Sequence, residues 1–351
     1  MNSVNSCNQP RMYPVLVTIL LILLTGITML GRLFSKSWDS KGKHCYVTGG
    51  SSGLGLAVAK LLVLKGAHVS IVSRDTQRLE NAMKELEAIR TSPSQIIKSY
   101  SYDLVTATGA SQALDAVCEP HQGRNPDAIF MLAGSCHPRF FIEETEETMR
   151  TQMDQTYWVQ AWTALEASKR MVRDKTKGKI VFHSAYIGYI TLIGYAAYGP
   201  GRMALRALAD TLRQEFLLYD IDIHIAFPGT MYTPGYDIEN ATKPKITLKI
   251  EETDPGVTGD QYAKGLLRGV QNGDFHISPD LLGNIFRASM RGVAPSGNFF
   301  VDSLWNFIGW VGLPIWRISV DSTVRGHRKE HEEYLANKGF YSSKTKASAT
   351  S

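Results

Sequence analysis

Cysteine is scarce in this chain: Cys7, Cys45, Cys118 and Cys136 are four among 351 residues, and no two form a C-x-x-C pair. That argues against a disulfide or cysteine-zinc framework and fits a reducing compartment. Internal repeats and low-complexity segments are also missing, so a repeat array does not explain the length. The net charge is +5, yet no continuous basic stripe carries it, which argues against a nucleic-acid partner. Hydrophobic residues make up 44% and charged ones 20%, the balance of a globular chain and not of a disordered one.

Long uncharged apolar runs are likewise few. Residues 13–30 form one, at the lower end of the roughly 18 residues a membrane span needs. Arg32, Lys36, Lys41 and Lys43 follow it and only Arg11 precedes it, so the positive-inside rule places the large domain in the cytosol. A cleaved signal peptide is the alternative, although the stretch is long and shows no clear small-x-small cleavage site. A second apolar region, residues 299–320, is interrupted by Asp302, Asn306, Pro314 and Arg317. It is too broken for a span. Trp305, Trp310 and Trp316 suit a membrane interface, and a buried hydrophobic helix with a loop is the other reading. The tail after Arg325 is polar and is expected to fray. His327 and His331 stand four apart there without a third ligand, so no metal site is expected.

Between Lys43 and Pro279 strands and helices alternate. Strands are expected at 44–47, 69–72, 96–102, 127–132, 179–183, 221–227 and 275–278, with helices at 79–89, 148–171, 198–218 and 256–271. Such alternation predicts an α/β fold with a Rossmann-type doubly wound parallel sheet. The run Tyr46-Val47-Thr48-Gly49-Gly50-Ser51-Ser52-Gly53-Leu54-Gly55 opens it as strand, glycine turn and helix start. Glycines admit a pyrophosphate close to the backbone, and the N–H groups of the turn and helix, here from Gly49 and Ser51 to Gly55, bind its charge. The second strand ends Ile71-Val72-Ser73-Arg74, with no acid at the position that would bond a ribose hydroxyl. Arg74, helped by Arg78, can instead hold a 2′-phosphate, which selects NADPH. Asp103-Leu104 stands where an adenine would lie; Asp103 either bonds its amino group or caps a turn.

Gly178-Lys179-Ile180-Val181-Phe182-His183-Ser184, then Tyr198-Gly199-Pro200-Gly201-Arg202, complete a pattern over about residues 42–280 that resembles the short-chain dehydrogenase/reductases. The resemblance implies hydride transfer between NADPH and a carbonyl carbon, with Tyr198 as acid, Ser184 orienting the carbonyl oxygen and Arg202 tuning the tyrosine and gripping the ribose. A narrower likeness lies in Phe227-Pro228-Gly229-Thr230-Met231-Tyr232-Thr233-Pro234-Gly235-Tyr236, which places Met231 against the cofactor. With the apolar segments and Ala133-Gly134-Ser135-Cys136-His137-Pro138, it is similar to the 3-ketodihydrosphingosine reductases, fungal ones in particular. That likeness implies a long-chain sphingoid ketone as substrate and attachment to the endoplasmic reticulum bilayer with the catalytic domain facing the cytosol. The implied organisation is an anchor at 1–38, a catalytic domain at 39–280, an apolar membrane-associated region at 281–325 and a polar tail at 326–351. A homo-oligomer is compatible with the sequence.

Four positions depart from the family. Its Asn-Asn-Ala-Gly is Met131-Leu132-Ala133-Gly134, its relay asparagine is Thr156, its serine thirteen before the tyrosine is Ala185, and its lysine is Arg202. A cation about 4 Å from a tyrosine at an effective dielectric near 20 is worth roughly 4 kcal/mol, so Arg202 is expected to lower the Tyr198 pKa. Arginine does not readily exchange a proton, so a lysine-type proton wire is not expected. Reduction of retinoids or steroids, and a catalytically silent NADPH-binding scaffold, stand as alternatives.

Overall fold

The computed structural model describes residues 37–341; the apolar stretch at 13–30 and the end of the polar tail lie outside them. In chain order the strands are β1 His44–Thr48, β2 His68–Ser73, β3 Ile97–Ser101, β4 Ala128–Met131, β5 Gly178–His183, β6 Ile221–Ala226, β7 Met231–Tyr232, β8 Val257–Thr258 and β9 His276–Ile277. A seven-stranded parallel sheet runs β3-β2-β1-β4-β5-β6-β9, and β7 pairs with β8 as a separate ribbon. Strand order reverses between β1 and β4, the crevice where such sheets bind ligands. Every expected strand is present.

The helices are α1 Gly53–Leu64, α2 Thr76–Ala88, α3 Ala107–Cys118, α4 Glu146–Met153, α5 Val159–Arg173, α6 Tyr198–Glu215, α7 Pro234–Thr242, α8 Lys245–Glu251, α9 Gly259–Asn272, α10 Leu281–Met290, α11 Phe299–Gly326 and α12 Arg328–Asn337. Side chains alternate across the sheet. Tyr46, Ile129, Ile180 and Ile225 enter one core with α3, α5 and α6, while Val47, Phe130, Val181 and Ala226 enter the other with α1, α2 and α9. The helix expected at 148–171 is α4 and α5 joined by a π turn, Asp154–Trp158. α3 was not expected because much of its inward face is Gly109, Ala110 and Ala113, small residues that give weak periodicity.

The C-terminal region corrects two expectations. Residues 299–320 belong to α11, a single helix of 28 residues that continues through Pro314. Asp302, only 2% exposed, pairs with Arg287 of α10 at 2.5 Å, and Arg317 donates to the Thr191 carbonyl at 2.9 Å. Two of the polar interruptions are therefore docking contacts that hold α11 on the domain. No helix among the described residues is long and apolar enough to cross a membrane. The start of the polar tail does not fray: α12 buries Leu335, the Tyr334 hydroxyl donates to Glu143 at 2.6 Å, and the His331 ring lies 4.3 Å from that of Phe140.

Candidate active site

The cofactor half of the crevice is built from main chain. Gly49 and Gly53 adopt left-handed φ values of 69° and 52°, and a Cβ on Gly55 would lie 2.1 Å from the Gly49 carbonyl oxygen. The turn closes only with glycine at these points. Ser52 caps α1 without a side-chain bond, which leaves first-turn N–H groups for an anion. The Thr48 hydroxyl accepts from the Leu132 and Ala133 N–H groups at 3.0 and 3.1 Å and fixes the ends of β1 and β4 together. The Ser51 hydroxyl donates to that of Ser73 at 2.9 Å, which ties the turn to the end of β2.

Arg74 is exposed and pairs with no carboxylate among the described residues. Arg78 differs: its guanidinium lies 3.2 Å from Asp75, which also caps α2 by accepting the Arg78 N–H. The acid nearest the end of β2 is thereby committed, and Arg74 is the unpaired cation. Asp103 accepts the Val105 N–H at 3.2 Å and so caps a turn. Leu104 and Leu54 are core side chains, 3% and 7% exposed, so any part they take in cofactor binding falls to their main chain. These residues fit a dinucleotide with a 2′-phosphate.

The substrate half is built from side chains at the C-terminal ends of β5 and β6. Tyr198 begins α6, and Arg202, one turn on, has its guanidinium 4.9 Å from the Tyr198 ring and donates to the His183 carbonyl at 2.6 Å. Burial pushes the Tyr198 pKa up and Arg202 pulls it back; the net shift is upward. This corrects the expected lowering, because desolvation of a buried phenol outweighs one neighbouring cation. His183 is held neutral, with a pKa lowered to about 3 by burial and by Arg202.

Ser184 is completely buried and its hydroxyl donates to the Arg202 carbonyl at 3.1 Å. That bond ties β5 to α6, and Ser184 also lines the cavity described below. Thr156 is also fully buried, donating to the Gln152 carbonyl at 2.6 Å within its own helix. α6 packs so closely there that a Cβ on Gly201 would lie 1.9 Å from the Thr156 hydroxyl oxygen.

Tyr198 and Arg202 open into a cavity of about 490 Å³, whose lining includes Ile308, Gly312, Leu313 and Trp316 of α11. Met231 lines it from β7. The sequence reading missed a polar group lining the same cavity. The Tyr195 hydroxyl lies 2.6 Å from Glu239 and 2.9 Å from Glu251, and the Lys243 ammonium lies 2.9 and 2.6 Å from the same two carboxylates. Burial opposes the Lys243 charge, but Glu239 and Glu251 outweigh it and hold its pKa above the usual value. The four-residue spacing of Glu239 and Lys243 was a visible signal; the approach of Glu251 is tertiary.

Residues 43–243 match the family model of the short chain dehydrogenases. A 3-ketodihydrosphingosine reductase of Cryptococcus neoformans is 42% identical over 332 residues, covering 92% of this chain and 99% of that protein. The chain belongs to the short-chain dehydrogenase family, in the group of the 3-ketodihydrosphingosine reductases. A 3-dehydrosphinganine reductase of Danio rerio is 30% identical, over 80% of this chain and 84% of its own. Among solved short-chain dehydrogenases, one from Sphingobium yanoikuyae in complex with NADPH superposes with a TM-score of 0.59 at 18% identity, covering 68% of this chain and 88% of its own. That likeness bears on the fold.

Proposed function

We infer that the chain reduces the ketone of 3-ketosphinganine to give sphinganine, with NADPH, in sphingolipid synthesis. One observation carries this. The 42% match to the Cryptococcus reductase spans 92% of the chain, too long to stop at the sheet domain, and α11 beyond that domain walls the cavity at Tyr198.

NADPH, when bound, supplies the hydride for the ketone carbon. Tyr198 supplies the proton. Its raised pKa keeps it protonated until the oxygen becomes basic, and the Arg202 cation stabilises the tyrosinate that forms. Ala185 has no hydroxyl and the Ser184 hydroxyl donates to the Arg202 carbonyl, so Tyr198 both binds and protonates the ketone oxygen. Arg202 stays charged and passes no proton on. Arg74 selects the 2′-phosphate.

The outer face of α11 exposes Phe300, Leu304, Phe307, Val311, Ile315 and Ile318, with Trp310 at 73%. Their spacing makes one apolar stripe along the helix. Together with residues 13–30 it would hold the protein on the endoplasmic reticulum membrane, cytosolic domain outward, where the alkyl tail of the substrate resides. A chain lacking residues 1–31 should still sediment in part with liposomes, and the double substitution Phe307→Asp, Trp310→Asp should release it. A truncated chain that stays fully in solution contradicts the stripe's role.

The activity is tested by following NADPH oxidation with 3-ketosphinganine, a retinal and a ketosteroid. Preference for either rival contradicts the reading. A silent NADPH-binding scaffold is the second reading, favoured by Ala185 and Thr156. Rescue of a strain lacking the reductase rules it out; failure to rescue while NADPH binds supports it.

A further inference from the structure

The part of the cavity lining that comes from α7, α8 and the loop after α8 carries more negative charge than its partners balance. Glu239 comes from α7, Glu251 from the end of α8 and Asp254 from the loop that follows, and all three line the cavity. Lys243 bridges Glu239 and Glu251. Counting Arg202 as well, three carboxylates face two cations, an excess of one negative charge. The Asp254 N–H donates to the Glu251 carbonyl at 2.9 Å, but its carboxylate has no hydrogen-bond or ion-pair partner among the described residues, and desolvation together with Glu251 pushes its pKa up. Asp254 is exposed at the cavity rim, and Lys243, which acts on it only through its charge, is already engaged by the two glutamates, so a cationic ligand group would meet a carboxylate still free to pair.

The place of this charge matters as much as its sign. The Tyr195 ring, whose hydroxyl touches Glu239 and Glu251, lies 5.8 Å from the Tyr198 ring. Glu239 is near enough to act on the Tyr198 hydroxyl through its charge. The negative wall thus begins one ring away from the proton donor. In an α-amino ketone the ammonium sits on the carbon next to the carbonyl, so a carbonyl oxygen at Tyr198 brings the ammonium to this wall.

We propose that Glu239, Glu251 and Asp254 select a ketone bearing a protonated amine on the adjoining carbon, with Tyr195 and Lys243 holding the two glutamates in place. The proposal rests on the reading of the chain as a 3-ketosphinganine reductase. Retinals and steroids carry no such cation, and neither does an N-acylated sphingoid ketone.

The test compares 3-ketosphinganine with its N-acetyl derivative, using the full chain and NADPH. The free amine should have the higher kcat/KM by about tenfold or more, the scale of one charge-assisted contact. Asp254→Asn, which disturbs no bond to Lys243, and Glu251→Gln should each narrow the ratio, while NADPH affinity, read by its fluorescence, stays unchanged. Equal turnover of the two ketones by the wild type, or an undiminished ratio in both variants, overturns the proposal. A second readout is equilibrium binding of sphinganine against N-acetylsphinganine in the presence of NADP⁺. If neither ketone is reduced, the functional reading fails; equal affinity for the two amines then overturns the selectivity as well, and tighter binding of sphinganine upholds it.

Discussion

Between β1 and α2 the crevice is shaped by backbone: glycine φ angles, an uncapped helix start, and a threonine hydroxyl that accepts two N–H groups. Between β5 and α8 it is shaped by side chains from distant parts of the chain, such as Tyr195 against Glu239 and Glu251. The first half has one answer for every dinucleotide, because a pyrophosphate always meets N–H groups. The second must fit one ketone, and it does so with charge placed in a largely apolar cavity. Substitutions in the two halves should therefore fail differently: the first in cofactor affinity, the second in turnover with cofactor still bound.

The largest effect is expected at Tyr198. Tyr198→Phe removes only the hydroxyl, so NADPH should bind as before while kcat falls by about 10²–10⁴-fold. Wild-type kcat should stay level through neutral pH. The acid must be protonated and its pKa is raised above the usual tyrosine value, so activity is present below that range and lost only above it. A fall beginning below pH 9 would place the proton elsewhere.

Arg202 comes next. Arg202→Met withdraws the cation that pulls the Tyr198 pKa back, so the tyrosine becomes a weaker acid and turnover should drop about a hundredfold. Arg202→Lys should keep activity, with its pH profile little moved. Equal turnover of the methionine variant would show that Arg202 serves the fold through its bond to His183 and not the chemistry.

Smaller and confined to the other half is Arg74→Ala. It should weaken NADPH by about 1.5–3 kcal/mol and leave NADH nearly unchanged, since only NADPH carries the 2′-phosphate. Equal loss for both cofactors would assign Arg74 to structure. Smallest is Arg78→Ala, because Asp75 already engages that guanidinium and an exposed pair contributes little. A loss of NADPH affinity matching that of Arg74→Ala would mean the pair opens to take the phosphate.

What could be read from the chain follows the same division. Strands buried on both faces appear as short apolar runs, and the glycine turn announces itself because its geometry is local; both were legible. Ser184 looked like the substrate's serine by type and position, yet only the packed structure shows its hydrogen on the Arg202 carbonyl. The direction of the Tyr198 shift was misjudged because a distance between charges can be guessed from a four-residue spacing, whereas the burial of a phenol cannot. Asp302 and Arg317 read as breaks in an apolar helix, and become anchors only once Arg287 and the Thr191 carbonyl are brought to them. Glu251 and Asp254 carried no signal, since the cavity they line is made by residues more than a hundred positions apart.

The most direct test of the account follows one isotope through both halves. The purified chain is incubated with 3-ketosphinganine and NADPH deuterated at the transferable position of the nicotinamide, and the product is analysed by mass. The account predicts sphinganine with a single deuterium at C3, formed by the wild type and by Arg202→Lys but not by Tyr198→Phe. Sphinganine formed without deuterium, or formed equally well by Tyr198→Phe, would contradict it.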